Sequence, residues 1–156
     1  MERVWRLYLD TSVFGGVFEA EEGFDVHSRR VINQIFLGRA VLLYSITLEE
    51  ELNRAPERVR SLFDRIPEAC KQRLSAGDEV ANLSRAYLDA GVVGTKWLDD
   101  TLHIAAATVA GADAIVSWNF KHIVRLDRIK GYNQVNLEQG YQVLTIVSPK
   151  EIDFDE

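Results

Sequence analysis

The chain has 156 residues, 47% of them hydrophobic and 27% charged, which suits one soluble domain with a real core. A net charge of −6 excludes a general polyanion binder, so any nucleic-acid contact needs a local basic patch or metal ions to offset the acid. Cys70 is the single cysteine, which excludes an internal disulfide and fits a reducing, cytoplasmic setting. The start MERVWRLYLD carries no signal-peptide core, and no apolar run approaches membrane-spanning length.

In chain order, Val4 to Leu9 (VWRLYL) is apolar and β-prone and ends in Asp10-Thr11-Ser12. A buried strand can deliver Asp10 to a site at its carboxyl end, or Asp10 can simply cap the next helix. Glu19, Glu21, Glu22, Gly23 and Asp25 mark an exposed turn. Val31, Ile35 and Phe36 give a second helix its apolar face, and Gly38 ends it. Ala40 to Tyr44 (AVLLY) is the second strand, and Ser45 to Asn53 turns helical through Glu49, Glu50 and Glu51. A glutamate run is usually a solvated face, and at least one of these is that. Pro56 breaks this helix or begins the next, whose inner face is Val59, Leu62, Phe63 and Ile66. Pro67 to Ser75 is ambiguous. Gly77 to Ala90 is a helix with Val80, Leu83, Tyr87 and Leu88 inward.

The stretch from Lys96 to His122 carries most of the chemistry. Asp99 and Asp100 open an uncharged helical run from Thr101 to Ala110, which Gly111 stops. Leu98, Leu102, Ala105 and Val109 form one stripe, while Asp100 lies opposite with Ile104 and Ala107. A helix apolar on both sides is buried between layers, and an ionised Asp at its mouth is costly unless something positive pairs with it. The bland alternative is that Asp99 caps the helix and Asp100 favours its dipole. Ala114 to Val116 is a short strand that delivers Ser117, Trp118 and Asn119. Lys121, His122, Arg125, Arg128 and Lys130 then form a basic cluster against one acid, Asp127. Asn133 to Gly140 is polar, and Val143 to Val147 (VLTIV) is a last strand. The layout is one α/β domain over residues 1–150, with a frayed acidic tail over 151–156.

Asp10, the glutamates 49–51 and Asp99/Asp100 all fall at strand–helix junctions, and Asn119 ends a strand. If the strands are parallel neighbours, these groups converge at one edge of the sheet. Three carboxylates and an amide are tolerable together only with a cation among them. Oxygen ligands favour Mg²⁺ or Mn²⁺ over Zn²⁺. A carboxylate-held ion pair suits phosphodiester hydrolysis, one ion activating water and the other stabilising the leaving oxygen. The cluster holding Lys121, Arg125 and Arg128 could take RNA phosphates.

The motifs YLDTSVF (8–14), SITLEEELNRAPERV (45–59) and LDDTLHIAAAT…ADAIVSWNFKHIV (98–124) resemble the PIN-domain ribonucleases, including the VapC-like toxins of toxin–antitoxin pairs. The resemblance runs in order over nearly the whole chain. It implies a PIN-like three-layer α/β/α fold with a central, mainly parallel sheet. It also implies an acidic quartet whose positions here match Asp10, Glu51 (with Glu50 a rival), Asp100 and Asn119. The fourth of these is an amide where the family has an acid. Asp99 is the alternate to Asp100. Thr11 and Ser12 match family hydroxyls, or serve only turn hydrogen bonds.

The expectation is a Mg²⁺/Mn²⁺-dependent endoribonuclease. Asp10, Glu51 and Asp100 would be metal ligands, with Asn119 holding metal or water. The resemblance adds a cognate antitoxin protein and a homodimer as partners. The rivals are a PIN-like module that binds RNA or protein without cutting, and a metal-dependent phosphohydrolase of small esters. No catalytic role falls to His103, read as a hydrogen-bonded residue at the helix start. Nor does one fall to His122, read as touching phosphate or packing near Trp118. Trp97 and Trp118 could stack on a base, with core or interface packing the plainer use.

Overall fold

A computed structural model describes residues 3–154. Five parallel strands form one sheet in the order β3-β2-β1-β4-β5. They are β1 (Trp5–Leu9), β2 (Ala40–Tyr44), β3 (Lys71–Arg73), β4 (Ala114–Val116) and β5 (Ile146–Val147). The helices are α1 (Thr11–Gly16), α2 (Phe24–Phe36), α3 (Ile46–Asn53), α4 (Glu57–Asp64), α5 (Asp78–Asp89), α6 (Leu98–Val109) and α7 (Leu126–Glu138). The expected α/β/α layering holds. The sheet is parallel throughout, with Leu7 beside Leu42 and Leu9 beside Val116.

Strand alternation sorts the core into two halves. Leu7, Leu9, Ala40, Leu42, Ala114 and Val116 face one side, where they meet Val13 and Phe14 of α1, Val31 and Ile35 of α2, and α3 and α4. Tyr8, Leu43 and Ile115 face the other, against Leu83 and Tyr87 of α5, Ile104 and Ala107 of α6, and Tyr132 of α7. Both faces are covered, which is why β4 is apolar throughout and β1 is apolar apart from Arg6. Among the described residues no helix is long and apolar enough to cross a membrane.

Several local expectations are corrected. Leu126–Glu138 is a helix that hides as a polar stretch because it buries Asn136 beside Tyr132 and Val135. Asn136 accepts from the Tyr87 hydroxyl and donates to Thr108. The last strand shrinks to two residues because the Leu144 backbone bonds Asn133 and not the sheet: Leu144 N donates to Asn133 Oδ1 at 2.7 Å, and Asn133 Nδ2 donates to Leu144 O at 3.0 Å. Phe36 and Leu98 are exposed, not inward, at 40% and 45%. The tail is pinned as far as 154: Ile152 and Phe154 pack on the first core half, and Arg30 Nη2 donates to Pro149 O and Ile152 O. Residues 155 and 156 of that acidic tail lie outside the described residues.

The topology fixes where a site can form. From the central β1 the chain adds β2 and β3 on one side, then returns to add β4 and β5 on the other. The reversal between β1 and β4 opens a crevice at their carboxyl ends. Asp10 leaves β1 there, and Ser117 to Asn119 leave β4.

Candidate metal centre

Asp10 is almost fully buried, at 6% exposure. Its side chain does not cap α1. Ser12 Oγ donates to one carboxylate oxygen at 2.5 Å, and Ser117 Oγ donates to the other at 2.7 Å. Each serine is also an acceptor, Ser12 from Trp118 N at 2.9 Å and Ser117 from Asn119 N at 2.9 Å. The two hydroxyls therefore latch the ends of β1 and β4 together across the crevice. Burial pushes the Asp10 carboxyl upward and the charge of Glu51 adds to the rise, while His103 and the two serines oppose it.

The structure separates the three glutamates. Glu49 pairs with Arg73 at 2.8 Å, Glu50 is exposed, and Glu51 turns inward. Thr11 Oγ1 donates to Glu51 Oε1 at 2.5 Å, and His103 Nε2 lies 2.8 Å from the same oxygen. Burial works to raise the Glu51 carboxyl, but these hydrogen bonds and the His103 charge hold it below the ordinary glutamate value. The aspartate doublet separates likewise: Asp99 is exposed and Asp100 is half-buried. Trp97, not Asp99, stands at the N-cap of α6, and both aspartates lie in the first turn. Burial lifts Asp100 from 3.8 to about 6, with the charges of Asp10 and Glu51 adding and His103 and Asn119 opposing. The three carboxylates thus feel one another across the crevice.

Asn119 joins them with its amide nitrogen. Its Oδ1 accepts from Lys121 N at 3.2 Å and His122 N at 3.0 Å, so its Nδ2 points outward and donates to Asp100 Oδ1 at 3.3 Å. Asn119, expected to hold metal or water, is bonded here to Asp100 through its nitrogen and to the backbone through its oxygen.

His103 is hydrogen-bonded, as expected, and its partners are Tyr8 and Glu51. It is 1% exposed and lies one helical turn after Asp100, and that spacing was the available signal. Its Nδ1 lies 2.6 Å from the Tyr8 hydroxyl, which lies 2.6 Å from Ser45 Oγ. Burial disfavours the imidazolium, yet the Glu51 hydrogen bond and the charges of Glu51, Asp10 and Asp100 raise the His103 pKa overall.

Of the expected RNA contacts, Lys121 and Arg125 are exposed, with Arg125 paired to Asp127 at 3.0 Å. Arg128 turns inward instead, and its Nη1 donates to Val92 O at 2.7 Å, which corrects its place on the surface. His122 stacks on Trp97 with ring centroids 3.9 Å apart. Trp118 is a packing residue: it lies against Phe24 and donates to Ser28 Oγ at 2.7 Å.

Among the described residues no three His, Cys, Asp or Glu side chains are grouped, as they stand, to hold a metal ion. Each acid is drawn toward its own donors. The donor chemistry nonetheless fits a hard divalent cation. The ligand atoms are carboxylate oxygens, and among the described residues no hydrogen bond falls on Glu51 Oε2 or Asp100 Oδ2. The raised Asp100 marks a charge the protein's own groups leave undercompensated. Scans of the chain against protein-family models and against curated proteins return no match.

Proposed function

We propose that this chain is a Mg²⁺- or Mn²⁺-dependent endoribonuclease of the PIN type, cytoplasmic and acting on RNA phosphodiester bonds. The reading is carried by the hydrogen bonds at the switch point of the parallel sheet: Asp10 is held by Ser117, whose oxygen accepts from Asn119 N, Asn119 Nδ2 donates to Asp100, and Glu51 is bonded to Thr11 beside Asp10 and to His103 one turn after Asp100. Such a cluster favours a bound cation over bare ionisation. Asp10, Glu51 and Asp100 would hold it, and a divalent ion bound there supplies a Lewis acid that activates water and offsets charge on the phosphate. Ser12 and Ser117 orient Asp10, Asn119 orients Asp100, and Lys121 and Arg125 draw in the RNA backbone. The same resemblance supplies a second copy of the chain and a cognate antitoxin protein as partners. Incubation with single-stranded RNA in Mn²⁺ or in chelator tests the activity. Cleavage by wild type in Mn²⁺ alone, lost in Asp10→Asn, is expected; intact RNA with wild type in Mn²⁺ refutes it.

A module that binds RNA or protein without cutting is the second reading. It is favoured by the absence, among the described residues, of three ligand side chains already grouped around one point. Mn²⁺ binding that depends on Asp10 and Asp100 discriminates against it. A small-ester phosphohydrolase has less support, because the neighbouring cavity of about 360 Å³ is lined by residues such as Ile46, Leu74, Val80 and Leu102 and by none of the three acids.

A further inference from the structure

Among the described residues Glu51 receives two donors on one oxygen and none on the other, and the reason lies in a chain of side chains behind it. Leu48 N donates to Ser45 Oγ at 3.2 Å, the N-cap bond of α3. The same Ser45 hydroxyl is hydrogen-bonded to the Tyr8 hydroxyl, 2.6 Å away. The Tyr8 hydroxyl lies 2.6 Å from His103 Nδ1, and His103 Nε2 lies 2.8 Å from Glu51 Oε1, a carboxylate oxygen that accepts its proton. Thr11 Oγ1 donates to the same Oε1. The series from Ser45 through Tyr8 and His103 ends on Glu51 Oε1. Tyr8 and His103 are 0% and 1% exposed and Ser45 is 7% exposed, so water competes for none of these bonds. A buried tyrosine hydroxyl in the middle of a strand is costly unless satisfied on both sides, and here it is.

We propose that Tyr8, Ser45 and His103 are positioning residues for Glu51. They fix the His103 ring and, through it, the Glu51 rotamer, so that Oε1 is occupied and Oε2 is presented to the cation. None of the three touches the ion. This rests on the metal reading above, in which Glu51 is a ligand. Outer partners that orient a metal's ligands change its affinity by about 10- to 100-fold when removed.

The test is Mn²⁺ binding by isothermal titration calorimetry, with folding checked by circular dichroism. The proteins are wild type, Tyr8→Phe, Ser45→Ala, His103→Leu and His103→Gln. Tyr87→Phe is the control: it removes an equally buried tyrosine hydroxyl in the same layer, bonded to Asn136 and Thr108 and not to the site. His103→Leu should weaken binding by at least about tenfold and Tyr8→Phe by several-fold. His103→Gln, whose amide can donate to Glu51 again, should recover most of the loss. Tyr87→Phe should bind as wild type does, however much its melting temperature falls. If wild type binds Mn²⁺ and Tyr8→Phe, Ser45→Ala and His103→Leu bind it equally well, the positioning role is wrong while the metal reading stands. A uniform loss that includes Tyr87→Phe would also overturn it, as a stability effect. If wild type binds no Mn²⁺, the metal reading falls and this inference with it.

Discussion

Asp100→Asn should stabilise the metal-free protein at alkaline pH and destroy its response to Mn²⁺. Asp100 titrates near 3.8 when unfolded and at about 6 when folded, so the folded state holds its proton more tightly. Its contribution is therefore favourable below about pH 4 and is lost as pH rises through about 6. The gap corresponds to ~3 kcal/mol at ~1.36 kcal/mol per pH unit. Solvent at the open side of Asp100 roughly halves that, to ~1.5 kcal/mol. Asn119 Nδ2 can still donate to the oxygen of an asparagine there, so little else is lost. Urea unfolding in chelator should show wild type and variant nearly equal at about pH 4, and the variant ahead by ~1–2 kcal/mol at about pH 8. Mn²⁺ should then invert the order, wild type gaining ~2.7 kcal/mol at a hundred times its Kd and the variant much less. An Asp100→Asn protein that is less stable than wild type by the same amount at both pH values would refute the reasoning, because it would make Asp100 a structural residue and not a strained charge.

The register of the doublets is tested by single-turnover cleavage: Asp100→Asn and Glu51→Gln should abolish it, whereas Asp99→Asn should lose only a dipole term of ~0.3–1 kcal/mol in stability and Glu49→Gln only its surface pairing with Arg73. The products should carry 5′-phosphate and 3′-hydroxyl ends, because among the described residues no paired His or Lys groups stand at the strand ends to activate a ribose hydroxyl; mass spectrometry showing mainly 2′,3′-cyclic phosphate would remove the mechanism. Lys121→Ala should weaken RNA binding across sequences and reduce the slope of log affinity against log salt by about one, while Arg128→Ala should leave that slope unchanged because its guanidinium is bonded to Val92 O.

The sheet and the positions of the acids were readable because each follows from a short rule. Apolar runs ending in Asp10 or Ser117 are strands that stop at a polar edge, and the edge is shared because the strands are parallel. That Asp100 lies further inward than Asp99 was readable too, since Asp100 shares its side of α6 with the buried Ile104 and Ala107. What was not readable depends on partners distant in sequence. His103 is a polar residue in an apolar helix until Tyr8 and Glu51 are seen beside it. Asn119 presents its nitrogen only because Lys121 N and His122 N take its oxygen. The α7 helix buries an asparagine satisfied by Tyr87 and Thr108, so its pattern reads as surface. The tail is ordered by Arg30, far away in sequence, and no local propensity signals that bond.

The most direct measurement is the anomalous difference map of a crystal grown or soaked with Mn²⁺. A peak within coordination distance of Asp10, Glu51 and Asp100, at about 2.0–2.3 Å from their carboxylate oxygens, is the predicted result, with Glu51 contributing Oε2. A map with no peak among these three residues at saturating Mn²⁺, or with its only peak elsewhere on the surface, would contradict the account.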